Sequence, residues 1–442
     1  MKSSRRLTMS LTAVVSTLGL VAAGCSSTDD TADNSGKTLK EGEVAQITWL
    51  HRIPDKEGAP TVNELVEQFN QAHPDIQVTP ERMQGSATES YAKINSIVAA
   101  GKDVPCLTMI GNERVPDMIG SMMDVSQYTD KVKDNYWEGL YNKAKVGDKV
   151  YGLPFGASPI LFYYRADLFE QYGISVPTTW EEYKAAAKTV REKSEGKSYM
   201  GAFLTDEPMW TNALVTSEGA DWFGYDPSTQ EWSVSITGDE SKKVADNLDT
   251  MVADDLVVPM QRWGQDFGKA LADGTLLSTI GGAWEAPLIA DTAPSTSGNW
   301  KIAQIPHFEA STTTVGQNGG TIGAVLKGCE YPEQAIEFAN WWATNIEGLT
   351  GLGLLPAAKA DNIETPANLK EFYSGQDYYS EFITANNNAP TIHWAPKIAA
   401  TMKVLKDKQG TIGSGGTVAE ELEAGQQQAV ASLTDAGLKV TE

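Results

Sequence analysis

Residues Ala45 to Thr79 read AQITWLHRIPDKEGAPTVNELVEQFNQAHPDIQVT, and the successive parts of this stretch set the fold class. In AQITWL, Ala45, Ile47 and Trp49 alternate with polar positions, the period-two pattern of a strand. Beyond the turn residues Pro54 and Gly58, Val62, Leu65, Val66 and Phe69 recur at i, i+3, i+4 and i+7, which gathers them on one apolar face of a helix. His73-Pro74 stops that helix, because proline has no amide donor and its ring clashes with the preceding turn. IQVT, from Ile76 to Thr79, then alternates again. A strand, a crossover helix and a second strand imply parallel pairing, and hence an α/β protein.

The same grammar recurs downstream. Thr179 with Glu182 forms a capping-box start, and Trp180, Tyr183, Ala187 and Val190 make the buried stripe of the helix that follows. Another helix is expected from Pro332 to about Ala343, with proline in the first turn, where its missing donor costs nothing. Thr417 with Glu420 opens the last one. WFGYDPSTQEW, Trp222 to Trp232, places a DPST turn between aromatic ends and reads as a hairpin, followed by a helix near Ser241 to Met251.

The amino terminus carries Lys2, Arg5 and Arg6 before an apolar run from Leu11 to Ala23, the layout of an export signal. That run is shorter than the ~20 apolar residues needed to span a bilayer. It closes on Ala22-Ala23-Gly24-Cys25, which resembles the bacterial lipobox, so Cys25 is the expected lipidated first residue of the exported chain. Residues 25–43 hold Leu39 as their one large aliphatic side chain and are expected to form a disordered tether. The remaining length exceeds the ~250 to 300 residues that one hydrophobic core usually serves, so two lobes are expected. Removing the cationic leader moves the formal charge from −23 to about −26, which argues against nucleic acid or anionic lipid as a partner. Cys106 and Cys329 have no CxxC neighbour or histidine cluster, and they are read as two separate thiols rather than as a bridge or metal ligands.

Several blocks, in order, resemble the family 1 extracellular solute-binding proteins, the sugar receptors of ABC importers related to maltose-binding protein. LVEQFNQAHPDIQV, from Leu65 to Val78, is similar to that family's first helix and second strand. YGLPFGASPILFYYRADLFEQYGISVPTTWEE, from Tyr151 to Glu182, resembles its central crossover and strand. FGKALADGTLLSTIGGAW, from Phe267 to Trp284, and the glycine-pair strand and Pro-Glu-x-Ala helix within Ile305 to Phe338 complete the resemblance. It implies a type II binding-protein fold: two α/β lobes joined by a hinge, with the ligand in the cleft between them. The expected partition is 44–153 with 280–330 in one lobe and 154–279 with 331–442 in the other. The implied partners are a carbohydrate, an oligosaccharide by preference, and the permease subunits of an ABC transporter, with the membrane reached only through the anchor at Cys25. A monomer without metal or cofactor is expected.

Sugar rings offer apolar C–H faces that stack on aromatic side chains, while their hydroxyls require planar polar partners. The chain has 12 Trp and 15 Tyr. Trp284, which follows a strand in GGAWE, is the leading stacking candidate, followed by Trp222 and Trp263 and then by Trp210 and Trp394. Polar candidates sit just after expected strands, where ligands of open α/β sheets collect: His51 and Arg52, Asn112 and Glu113, and Gln317 and Asn318, with Asp221, Asp266 and Glu285 beside the tryptophans. No HExxH or GxSxG motif occurs, and GLGLLP at Gly351 has Pro356 where a dinucleotide fingerprint needs its third glycine. The enzymatic alternative is a glycosidase built on Glu113 and Glu285. The remaining alternatives are a receptor for a non-sugar solute and a surface adhesin.

Overall fold

The computed structural model describes residues 36–441 apart from 56–58, 86 and 361–362, so the leader, Cys25 and most of the expected tether lie outside the described residues. Among the described residues no helix is long and apolar enough to cross a membrane. The end of the expected tether lies against the body: Lys37 donates its amide to the Glu330 carbonyl at 2.6 Å and pairs with the Glu330 carboxylate at 3.1 Å.

The opening stretch folds as it reads. The strand Ala45–His51 pairs in parallel with Ile76–Arg82, in a register that sets Ala45 opposite Ile76. The helix Val62–Ala72 between them buries Val62, Leu65, Val66 and Phe69. Thr61 caps this helix by accepting from the Glu64 amide at 3.1 Å, while the Glu64 carboxylate accepts from the Thr61 amide at 2.8 Å. Leu107–Gly111 extends the sheet in parallel, and Thr321–Val325 then joins antiparallel between it and Gly152–Gly156. The core beneath is aromatic: Trp49 packs against Trp342 and Phe338 with ring centroids 4.6 and 5.3 Å apart. Emptying such a site by Trp49→Ala would cost about 3 to 5 kcal/mol.

A second sheet has Ile160–Arg165 at its centre, antiparallel to both Ser278–Gly282 and Trp300–Ala303. Around it stand a parallel pair, Gly201–Leu204 with Val257–Met260, and the expected hairpin, Phe223–Asp226 with Glu231–Val234. The capping box at Thr179 and Glu182 is present, and Trp180, Tyr183, Ala187 and Val190 are buried beneath it. Each sheet thus has its own apolar core.

The membership of those cores differs from the sequence partition. Residues from Ile280 to Val315 pack in the second core, because Ser278–Gly282 and Trp300–Ala303 both pair with Ile160–Arg165. The helix Pro332–Thr344 instead places Ala335, Ile336, Phe338, Ala339 and Trp342 in the first core. Short-range pattern identifies these elements but not the sheet each one joins.

Cys106 and Cys329 form a disulfide, contrary to the expectation of separate thiols. The antiparallel pairing of Leu107 with Val325, continued by the Leu326 amide donating to the Cys106 carbonyl at 3.0 Å, brings their Cα atoms to 4.4 Å. The bridge closes a loop spanning a sequence separation of 223, so it restricts the unfolded chain strongly. The double variant Cys106→Ser, Cys329→Ser should lose about 2 to 4 kcal/mol in denaturant titration, and reductant should reproduce the loss in the native chain only. Equal stability of native and variant chains would remove the bridge from this account.

Candidate functional site

The chain crosses between the sheets at residues 157–159, and this segment lies against the returning segment 316–320. Ser158 donates its amide to Gln317 Oε1 at 2.9 Å and its hydroxyl to the Asn318 carbonyl at 2.6 Å, and the Asn318 amide donates back to the Ser158 carbonyl at 2.9 Å. The Ala157 amide donates to the Leu355 carbonyl at 3.2 Å, which brings a further crossing alongside. Gly319 and Gly320 both adopt positive φ, +105° and +91°, a region that side chains other than glycine rarely occupy. A Cβ on Gly320 would stand 2.5 Å from Asn112 Nδ2, and one on Gly282 would stand 2.7 Å from Trp284 Nε1. The floor is therefore a strip of backbone flanked by Asn112, which follows the strand Leu107–Gly111 of the first sheet, and by Trp284, which follows Ser278–Gly282 of the second.

Trp284 is fixed there by its indole N–H, which donates to the Asn318 carbonyl at 2.9 Å, and its ring remains half-buried. Trp263, itself at a φ of 57°, stands beside it with ring centroids 6.2 Å apart. Around this pair several buried polar atoms have no hydrogen-bond partner within the protein: Asn112 Oδ1, Gln317 Nε2, Asn318 Nδ2 and Trp263 Nε1. Leaving such a group unsatisfied costs about 1 to 3 kcal/mol, which is tolerated where a ligand supplies the missing bond. The set is uncharged and mixes donors with an acceptor, matching hydroxyl groups that both give and take a proton.

The first-lobe wall is charged, and its two arginines are engaged only in part, the buried Nε of each having no partner within the protein. The guanidinium carbons of Arg52 and Arg114 lie 5.2 and 5.3 Å from the Tyr91 ring centroid, and Arg52 donates to the Tyr91 hydroxyl at 3.2 Å. The Glu113 carboxylate folds back over Gly111, where a Cβ would meet it at 2.4 Å. Burial pushes the Glu113 pKa up, and Arg114 and Arg52 oppose the shift. Sequence reading did not find Ser158, Tyr91 or Arg114, since nothing local marks a serine or tyrosine whose partners lie in distant segments.

Other candidates have structural partners that keep them from the floor. Trp222 is fully buried and donates to Ser241 Oγ at 3.2 Å, and Trp210 is buried and donates to the Ile280 carbonyl at 3.0 Å, so both are core residues. Glu285 has no exposed surface: it accepts from Arg262 at 2.7 Å and from the Gly282 amide at 2.7 Å. Burial raises its pKa to about 7, opposed by Arg262. So enclosed, Glu285 offers no surface to a glycosidic bond, which disfavours a Glu113–Glu285 pair of acid and nucleophile. Asp266 is exposed in the first turn of Gln265–Asp273, and Asp221 accepts from His393 Nδ1 at 2.6 Å. Trp394 lies half-buried, 6.4 Å from Phe223 between ring centroids, on the loop leading into the helix Ile398–Gln409.

The profile of the bacterial extracellular solute-binding proteins matches residues 54–347, well over half of the chain. The chain belongs to this family. Among solved structures, the galacto-N-biose/lacto-N-biose I-binding protein of a Bifidobacterium longum ABC transporter, in complex with lacto-N-biose, superposes with a TM-score of 0.86 at 33% identity, covering 91% of this chain and all of that one. The binding protein of B. animalis subsp. lactis in complex with β-1,6-galactobiose gives a TM-score of 0.77 at 22% identity over 90% of this chain and 100% of its own. The lactose-binding protein of Rhizobium radiobacter is 22% identical over 352 residues, 75% of this chain and 80% of the relative. This solute-binding protein therefore has the two-lobed type II binding-protein fold that the sequence blocks imply.

His51, expected to face ligand, is buried beside Trp49 with ring centroids 5.1 Å apart. Burial, with Arg82 as the second cause, lowers its pKa to about 4 from the ordinary 6.5. The fold holds the neutral ring, so the stability this residue contributes is present above pH 6.5 and is lost as pH falls through 4. Urea midpoints of the native chain should accordingly fall more steeply from pH 6.5 to 4 than those of His51→Gln. Parallel curves would show that His51 is solvated.

Proposed function

We propose that this protein captures a neutral, galactose-containing di- or oligosaccharide outside the membrane and delivers it to an ABC permease without altering it. The observation that carries the reading is the floor: an indole pinned by its own N–H to a backbone carbonyl, bordered by uncharged amide atoms that lack protein partners. A sugar places a C–H face on the indole and its hydroxyls on the amides. The unpartnered floor atoms are uncharged, and the guanidinium groups of the wall, Arg52 and Arg114, lie over Tyr91 with Arg114 also beside Asp117, an arrangement that favours a polyol over a phosphate or carboxylate. Galactose-containing ligands stand first because lactose, lacto-N-biose and β-1,6-galactobiose are those named for the relatives above. The exported chain is held by lipid on Cys25 at the outer face of the cell membrane and acts as a monomer. The energy for transport comes from the partner ATPase.

Calorimetry of the body from residue 36 onward against lactose, lacto-N-biose, β-1,6-galactobiose and maltose tests this reading. Saturable binding to at least one galactosyl sugar is expected, with the sugar recovered intact. Trp284→Ala should weaken binding about 30-fold or more, the ~2 kcal/mol of a central aromatic anchor. Trp222→Phe should leave the affinity unchanged and register only as lower thermal stability. Hydrolysis of the sugar, or binding that survives Trp284→Ala, would overturn the assignment.

A further inference from the structure

Directly after the wall residues Asn112, Glu113 and Arg114, the short helix Val115–Met118 carries Asp117 between Val115 and Met118, both buried in the first core. Its carboxylate leaves that lobe. It accepts from the backbone amide of Lys397 and, at 3.1 Å, from that of Ala399, at the start of the helix Ile398–Gln409. Ile398 and Leu405 anchor this helix in the second core. The residue preceding the helix, Lys397, has a φ of 67° and no side-chain acceptor with which to cap it. The first-turn donors that a helix normally satisfies with its own Ser, Thr, Asp or Asn are here met from the other lobe. Arg114 Nη2 stands 3.5 Å from the same carboxylate and keeps its charge company without displacing the amides.

We infer that Asp117 is a closure latch, a positioning residue whose carboxylate caps the Ile398–Gln409 helix across the cleft mouth and thereby sets how tightly a solute is held. The location supports this reading. The segment Asn112–Arg114, whose Asn112 borders the floor, packs against the helix Ile398–Gln409, so the latch lies beside the site rather than on its floor. A hydrogen bond is lost within about an ångström of separation, so any hinge opening breaks this one and uncovers the helix start. Closure then satisfies first-turn donors that opening leaves to water, and the helix dipole favours the carboxylate in the closed form alone. A ligand that binds the closed form gains apparent affinity in proportion to the population this contact maintains.

The test uses the body from residue 36, with the disulfide intact and spin labels on Glu67→Cys and Lys370→Cys, exposed positions on helices of the first and second lobes. In the ligand-free protein, the interlobe distance distribution should include a short component that Asp117→Ala abolishes and Asp117→Asn reduces. Hydrogen exchange at the Lys397 and Ala399 amides should quicken at least tenfold in Asp117→Ala, with the melting temperature little changed. For whichever galactosyl sugar binds, affinity should fall about tenfold, mainly through faster dissociation. Unchanged distances and exchange in both variants would overturn the latch. Because those readouts need no ligand, they decide the inference even if the sugar reading fails.

Discussion

The close approach of backbone strands at the lobe junction is the constraint on which the remaining structure depends. Segments 157–159 and 316–320 are locked by reciprocal Ser158–Asn318 bonds of 2.6 and 2.9 Å, and they run where a single added methyl group would collide. A Cβ at Gly316 would fall 2.0 Å from the Ala213 carbonyl oxygen, and one at Gly282 would fall 2.4 Å from Ser158 Oγ. These glycines allow two independently packed cores to share one strip of main chain. Asn112 and Trp284, each just beyond a strand of a different sheet, then meet at that strip. A bulkier floor would separate the cores and leave each site residue facing solvent alone.

The charges of the molecule are placed so that the floor stays neutral. Arg262 and Glu285 pair inside the second lobe, where neither side chain has exposed surface. Such a pair contributes little net stability but is costly to break, about 3 to 5 kcal/mol for removal of one partner. Its position immediately behind Trp284 supports the turn that presents the indole, since Glu285 also accepts from the Gly282 amide. Arg52 and Arg114 stand over the Tyr91 ring on the opposite wall. What faces the floor is amide and indole chemistry, suited to a polyol rather than an ion.

Much of the architecture was legible because it is local. The βαβ unit, the capping box at Thr179 and the Trp222–Trp232 hairpin each depend on residues a few positions apart, and each folds as its pattern reads. Trp284 and Asn318 were legible as site candidates because strand ends and glycine pairs mark places where backbone comes close to a ligand. The rest was hidden by distance along the chain. Glu285 reads like a cleft carboxylate until Arg262 is seen against it, and Trp222 reads like a loop platform until the helix Asp239–Ala253 covers it with Ser241. The Cys106–Cys329 bridge and the assignment of Ser278–Gly282 to the second core follow from strand pairing alone, which neither propensity nor periodicity specifies.

A crystal structure of the body with lacto-N-biose bound tests the central claim most directly. The account predicts a sugar ring stacked on Trp284, with hydroxyl or amide groups of the ligand within hydrogen-bond distance of Asn112 Oδ1, Gln317 Nε2 and Asn318 Nδ2. A sugar bound elsewhere, with those atoms satisfied by the protein itself, would contradict it.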